Sequence, residues 1–187
     1  MLFRSSSDSS LKVAIITGTT RTGGPPAPVV GPRVAKFVEK CLEEREGVTV
    51  STIVDPTEFP LLEKPEFSYR PGSAPEPLHR IGDMLRDADA YVCITPEFNH
   101  APSPGLVNVL NHFGSSVFSF KPSAIVSYSA GQWGGTRAAI GLRPILSELG
   151  ALPGMCCYDV AWLGFLFDRV RVRVYDYNLW LLGRSAT

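Results

Sequence analysis

Three stretches of this sequence carry residue types suited to gripping a phosphate and a flat heteroaromatic ring. The first reads Gly18-Thr19-Thr20-Arg21-Thr22-Gly23-Gly24. Small hydroxyl residues and free backbone N–H groups ahead of a helix make a phosphate cradle, and Arg21 adds a charge and a fork of donors for two phosphate oxygens. No Gly-Lys-Ser/Thr follows, so this is not a Walker A loop, and the absence of GxGxxG gives no support to a Rossmann-type dinucleotide site. A plain strand-to-helix turn also explains the loop. The second stretch is Thr95-Pro96-Glu97-Phe98-Asn99-His100. An apolar run leads directly into a rigid proline, an acid, an aromatic, an amide and an imidazole. That mixture gives a planar ligand a ring for contact and amide groups for its polar edge. The alternative is a surface turn in which Asn99 and His100 cap the next helix. The third stretch, Ser127-Tyr128-Ser129-Ala130-Gly131-Gln132-Trp133-Gly134-Gly135-Thr136-Arg137, has three glycines that permit close backbone approach. Trp133 among them is hard to explain as core and reads as part of a lid or an interface.

The elements that must position these loops can be read from periodicity. Leu11 to Thr17 (LKVAIIT) is a β-branched apolar run ending at Gly18, a strand buried on both faces. Pro32 suits the first turn of a helix in which Val34, Phe37, Val38, Cys41 and Leu42 form the apolar stripe, closed by Gly47. Val48 to Val54 is a second strand, and residues 55–77 form a long Pro-rich connection. A helix over Pro77 to Asp87 turns Leu78, Ile81 and Leu85 inward. Tyr91 to Thr95 is the third strand, Pro104 to His112 a short helix, and Pro122 to Ser127 the fourth strand. From Thr136 a helix carries Ala138, Leu142, Ile145 and Leu149 inward; Pro144 is expected to bend or shorten it, and Gly150 to stop it. Alternating strands and helices predict a parallel sheet covered on both sides, with ligands at the carboxyl ends of its strands. All three loops leave such ends.

The 187 residues suit one domain, with 18 basic and 18 acidic residues giving a formal net charge of zero. No basic field exists to attract nucleic acid or an anionic membrane. Neither a secretory leader nor a run long enough for a membrane span is present, so a cytoplasmic protein is expected. Cys41, Cys93, Cys156 and Cys157 form no CxxC pair or metal spacing and read as reduced thiols. No metal site is expected.

Taken in order, strand-GTTR, strand-TPEFNH-x3-PGLVNVLN and KPSAIVSYSAGQWGGTRA-x4-LRPILSELGA resemble the NADPH-dependent FMN reductase family, over roughly Leu11 to Ala151. The resemblance implies an α/β, flavodoxin-like three-layer sandwich with a central parallel sheet. It implies bound FMN, NAD(P)H as co-substrate, and a small-molecule electron acceptor such as a quinone or free flavin. By position, Thr19 and Arg21 match the phosphate binders. Pro96, Glu97, Phe98, Asn99 and His100 match the loop that holds the isoalloxazine ring and ribityl chain. Ser129, Gly131, Trp133 and Gly134 match the loop on the flavin's other side. The flavin carries the hard chemistry, so no catalytic side chain is expected, and His100 and His112 need not be bases. Family members are commonly dimers or tetramers, which makes a homodimer or homotetramer the expectation. Trp133 and the Phe113 to Phe120 segment are interface candidates, although the segment equally fits a buried helix-to-strand connection.

Two departures stand out. The stretch Thr22-Gly23-Gly24-Pro25-Pro26-Ala27-Pro28 is longer than in comparable members. After Ala151 the chain also lacks the usual final strand-and-helix pattern, dividing it into a flexible start (1–10), an FMN-binding domain (11–155) and an atypical C-terminal segment (156–187). Within that segment Val170 to Val174 alternates as an edge strand does, and Tyr175, Tyr177 and Trp180 would be costly to leave in water. A remodelled C-terminus motivates an alternative reading, an FMN-binding redox-sensing partner with little turnover. A cofactor-free domain whose Gly-rich loops are only turns is a third.

Overall fold

The computed structural model describes residues 10–23, 29–131, 133–161 and 171–174, with side chains described up to 154. Five strands run parallel: β1 (Leu11–Thr17), β2 (Val48–Val54), β3 (Ala90–Phe98), β5 (Pro122–Ser129) and β6 (Leu152–Ala161). Their spatial order, β2-β1-β3-β5-β6, is a doubly wound, flavodoxin-like one. β6, directly after Ala151, is a final parallel strand that the sequence reading did not find, and it runs across the boundary at 155. β7 (Arg171–Val174) pairs antiparallel with β6 at the end of the sheet, the edge position its alternation predicts. A two-residue strand, β4 (Ala101–Pro102), folds back on the end of β3.

Helices cover both faces. On one side α2 (Glu76–Asp87), α3 (Pro104–Asn111), the single turn α4 (Ser115–Phe118) and α5 (Thr136–Glu148) bury the larger core, in which Leu78, Leu85, Leu106, Phe118, Leu142 and Leu146 are fully enclosed. On the other, α1 (Gly31–Glu43) lays Val34 and Ala35 on Val13, Ile15, Val92 and Ile94. Burial on this scale is the dominant favourable term in folding. The apolar stripe expected on α1 is narrower than its spacing implies: Val38, Cys41 and Leu42 are half-buried and Phe37 is 47% exposed.

Pro144 does not shorten α5, which continues to Glu148. Proline removes the hydrogen bond to the carbonyl four residues back, which here belongs to the exposed Ile140, where water can take it. Gly47 and Gly150 stand where the helices are followed by turns, with φ of 73° at both. Within the Phe113 to Phe120 segment, Phe113, Val117 and Phe118 are buried and Phe120 is exposed, so most of it is core connection. Tyr175, Tyr177 and Trp180 lie outside the described residues, as does the Pro-rich part of the first loop (24–28).

Candidate functional site

The order of the strands reverses beside β1, which lies between β2 and β3, and the crevice of such a sheet opens where the order switches. The three loops of interest leave β1, β3 and β5 at this end.

The β1 loop is shaped by glycines that allow close approach. A Cβ at Gly18 would lie 2.4 Å from Ser103 Oγ and 3.0 Å from the Ile94 carbonyl oxygen, and one at Gly105 would lie 2.8 Å from Thr20 Cγ2. Ser103 fastens this loop to β3. Its hydroxyl donates to the Gly18 carbonyl at 2.7 Å and accepts from Leu106 N–H at 3.3 Å, while its own N–H donates to Thr95 Oγ1 at 2.9 Å. The head of α3 is therefore capped by a buried serine, the ordinary device for satisfying a helix's first amides.

The head of α1 is built differently. Val30 occupies the cap position in helical conformation, and no side chain among the described residues accepts from the first turn. Among the described residues the backbone N–H groups of Thr19, Thr20 and Thr22 have no acceptor either. Thr19 Oγ1 accepts the Arg21 N–H at 3.3 Å, and the Arg21 guanidinium donates to the Gly23 carbonyl at 3.5 Å. Open amides, a helix N-terminus and a guanidinium thus meet in one place, a donor set suited to an anion.

Pro96, Glu97, Phe98, Asn99 and His100 form the β3–β4 hairpin, with Glu97 opposite Pro102 and Phe98 opposite Ala101. Asn99 and His100 are its two turn residues, at φ of 50° and 64°, the backbone a type I′ turn requires. They do not cap the next helix; Ser103 does. Phe98 is 44% exposed, whereas the Glu97 side chain is nine-tenths buried. Its Oε1 faces Arg137 Nη1 of α5 at 3.8 Å, and its Oε2 has no partner among the described residues.

The β5 loop continues from Tyr128, which registers against Pro96. Ser129 Oγ accepts the Gly131 N–H at 3.2 Å, and the Gly134 N–H donates to the Gly131 carbonyl at 3.2 Å. The Trp133 carbonyl accepts the Thr136 hydroxyl at 2.7 Å, leaving the indole 59% exposed. Gly135 follows at φ of 91°, where a Cβ would meet Ser127 Cβ and Tyr128 N at 3.0 Å. Only glycine takes that conformation in that space.

Tyr128 is the residue that sequence reasoning quoted but did not place in the site. Burial pushes its pKa up, against the opposing pull of the neighbouring Thr19 hydroxyl and of the Arg21 charge. A Cβ at Gly31, the first residue of α1, would lie 2.7 Å from the phenol oxygen and 2.3 Å from Thr19 Cγ2. Ser103 was missed as well; the signal was the Ser-Pro pair at the start of a helix. Cys93, in the middle of β3, is fully buried and its thiol is pushed up to about 12 by that burial, which makes it inert.

Residues 11–157 match the model of a family described as NADPH-dependent FMN reductase. An NADPH azoreductase from Bacillus sp. is 30% identical over 151 residues, covering 80% of this chain and 77% of its own length. A quinone reductase from Pseudomonas putida is 37% identical over 76 residues, covering 38% of this chain; the chain spans 41% of that relative's length. Among solved structures, FerB, a flavoenzyme NAD(P)H:(acceptor) oxidoreductase from Paracoccus denitrificans, superimposes with a TM-score of 0.62 at 21% identity, covering 77% of this chain and 75% of FerB. At that identity the likeness concerns the fold.

Proposed function

The chain belongs to the NADPH-dependent FMN reductase family, and we propose that its three strand-end loops hold FMN in an NAD(P)H-dependent reductase of small acceptors such as quinones or free flavins. The observation that carries this reading is the donor set gathered at the head of α1. A phosphate dianion suits the open loop amides of Thr19, Thr20 and Thr22, the uncapped helix N-terminus and the Arg21 charge. The residues present therefore fit the group.

In this reading Thr19 and Arg21 hold the phosphate. The β3–β4 hairpin, Pro96 to His100, and the β5 loop, Ser129, Gly131, Trp133 and Gly134, enclose the ring and ribityl chain. Glu97 contributes its backbone, because its carboxylate is turned toward Arg137. Trp133 and Phe98, both well exposed, supply apolar surface that keeps water from the reacting face. The chemistry that bound FMN supplies is acceptance of hydride from the reduced nicotinamide and release of the electron pair to a second acceptor. The protein's task is to bind and orient, which agrees with the lack of any nucleophile–base pair among the described residues of these loops.

A small-molecule acceptor is favoured over nucleic acid by the balanced charge of the chain. No helix of the described residues is long and apolar enough to cross a membrane. A cytoplasmic homodimer or homotetramer is the assembly we infer, with the exposed Trp133 available to a second copy.

The test is a visible absorption spectrum after FMN addition and desalting, then after anaerobic NADPH and, separately, NADH. A retained flavin spectrum that bleaches promptly is the expected result, and the faster nucleotide identifies the donor. A retained spectrum that stays yellow would replace this reading with an FMN-binding partner of little turnover. A colourless protein would overturn the cofactor assignment.

A further inference from the structure

The sheet holds the two ring-side loops together part of the way. β3 and β5 stay paired as far as Thr95 opposite Ser127 and Pro96 opposite Tyr128. Beyond that register β3 turns into its own hairpin, Glu97 opposite Pro102, while β5 runs on into the loop that carries Trp133. A charge pair spans the gap. Glu97 Oε1 lies 3.8 Å from Arg137 Nη1, close enough for an ion pair and too far for a hydrogen bond. Each partner stands at the root of a loop. Glu97 precedes the exposed Phe98 and the turn residues Asn99 and His100, whose type I′ geometry fixes the hairpin's register. Arg137 follows Thr136, whose N–H and hydroxyl both donate to the Trp133 carbonyl, at 3.1 and 2.7 Å.

The Glu97 carboxylate is nine-tenths buried, its Oε2 has no hydrogen-bond partner among the described residues, and its counter-charge is 44% exposed. A carboxylate withdrawn from water and met on one side adds little to stability and often subtracts from it. We propose that Glu97 and Arg137 are positioning residues that set the separation of the β3–β4 hairpin from the β5 loop, and so the space that receives the flavin ring. The inference rests on the reading of these loops as the ring site. The pair acts through the two backbones it draws together, with no contact to the ligand required. The hairpin has a second point of support, since a Cβ at Gly141 of α5 would lie 3.2 Å from Pro102 Cδ. The charge pair therefore fixes the hairpin's inclination rather than its attachment. Its loss shifts the loops without unfolding them. Holding them in place beforehand raises affinity, because binding no longer has to order them.

FMN and riboflavin share the ring and differ in the 5′-phosphate, so a ring-side effect weakens both by one factor. Glu97→Gln removes the charge and keeps the shape. By fluorescence titration of the full chain, both flavins should bind about fivefold more weakly. The melting temperature of the flavin-free protein should hold or rise. Arg137→Gln should weaken both flavins alike but lower the melting temperature, because it leaves the Glu97 charge buried alone. Adding Glu97→Gln to it should restore the melting temperature and cost no further affinity. Unchanged affinities in Glu97→Gln, or losses that multiply in the double variant, overturn the inference. A loss confined to FMN places the effect at the phosphate and overturns it too. A lower melting temperature in Glu97→Gln with both affinities kept makes the pair a brace of the fold, again against the inference. If the wild-type chain holds neither flavin, the FMN reading itself falls and takes this inference with it.

Discussion

The heads of α1 and α3 are both strand-to-helix junctions at the same end of the sheet, yet they are finished in opposite ways. At α3 the chain satisfies itself. Ser103 caps the helix, reaches across to the Gly18 carbonyl and is held in turn by Thr95, all of it buried. At α1 the cap position is a valine, and the amides of Thr19, Thr20 and Thr22 have no acceptor among the described residues. A junction that saturates its own donors is a structural joint. One that leaves them aimed in a single direction is built for a partner, and the unsaturated junction is kept in shape by the saturated one beside it.

Breaking the joint should have the largest effect. Gly18→Ala places a Cβ against Ser103 Oγ, Leu106 Cβ and the Ile94 carbonyl, and should cost about 3 kcal/mol of unfolding free energy in chemical denaturation. Arg21→Ala acts on the open junction alone. FMN affinity measured by fluorescence titration should fall about tenfold to a hundredfold, with the melting temperature of the FMN-free protein unchanged. If the melting temperature falls and the affinity holds, Arg21 belongs to the joint and the contrast drawn here is wrong. Ser103→Ala removes the cap and the tie to Gly18, and should lower stability by about 1–2 kcal/mol, weakening FMN binding less than Arg21→Ala does. The smallest change sharpens the comparison. Val30→Asp puts a carboxylate at the head of α1, which should stabilise the FMN-free protein by about 0.3–1 kcal/mol while weakening FMN binding, more so at low salt.

Much of this contrast was legible in the sequence, and the rest was hidden for definite reasons. The strands announced themselves because a two-sided parallel sheet demands unbroken β-branched runs such as AIIT and VCIT, bounded by glycine or proline. The three loops stood out by composition. Tyr128 did not, because its place depends on which face of β5 it occupies and on what lies opposite, and the Thr19 and Gly31 beside it are far away in the sequence. Glu97 was read only as part of the ring-holding loop; which way its carboxylate turns follows from strand alternation, which puts it beside Arg137 of α5 on the same face of β3 as Thr95. Phe37 fitted a helical stripe, yet α1 lies on its sheet along a narrow line and leaves the ring outside. Pro144 carried a strong local signal against a helix, and it was outweighed because Leu142 and Leu146 on either side are fully buried.

The winding order of the sheet has a consequence for how the protein matures. β1 meets β3 across 77 positions of sequence, as the bond from Lys12 N–H to the Asp89 carboxylate records, and the loop after β5 joins only when a third distant strand has docked. Long-range pairings of this kind form late and slowly. A ligand held by all three loops has no binding site in any partly assembled chain, so it must select the finished molecule. During synthesis, flavin supply would act as a one-way pull, adding roughly 2.7 kcal/mol of stability at a free concentration a hundred times the dissociation constant. In a cell short of flavin, the same chains would spend longer with their central strands unpaired.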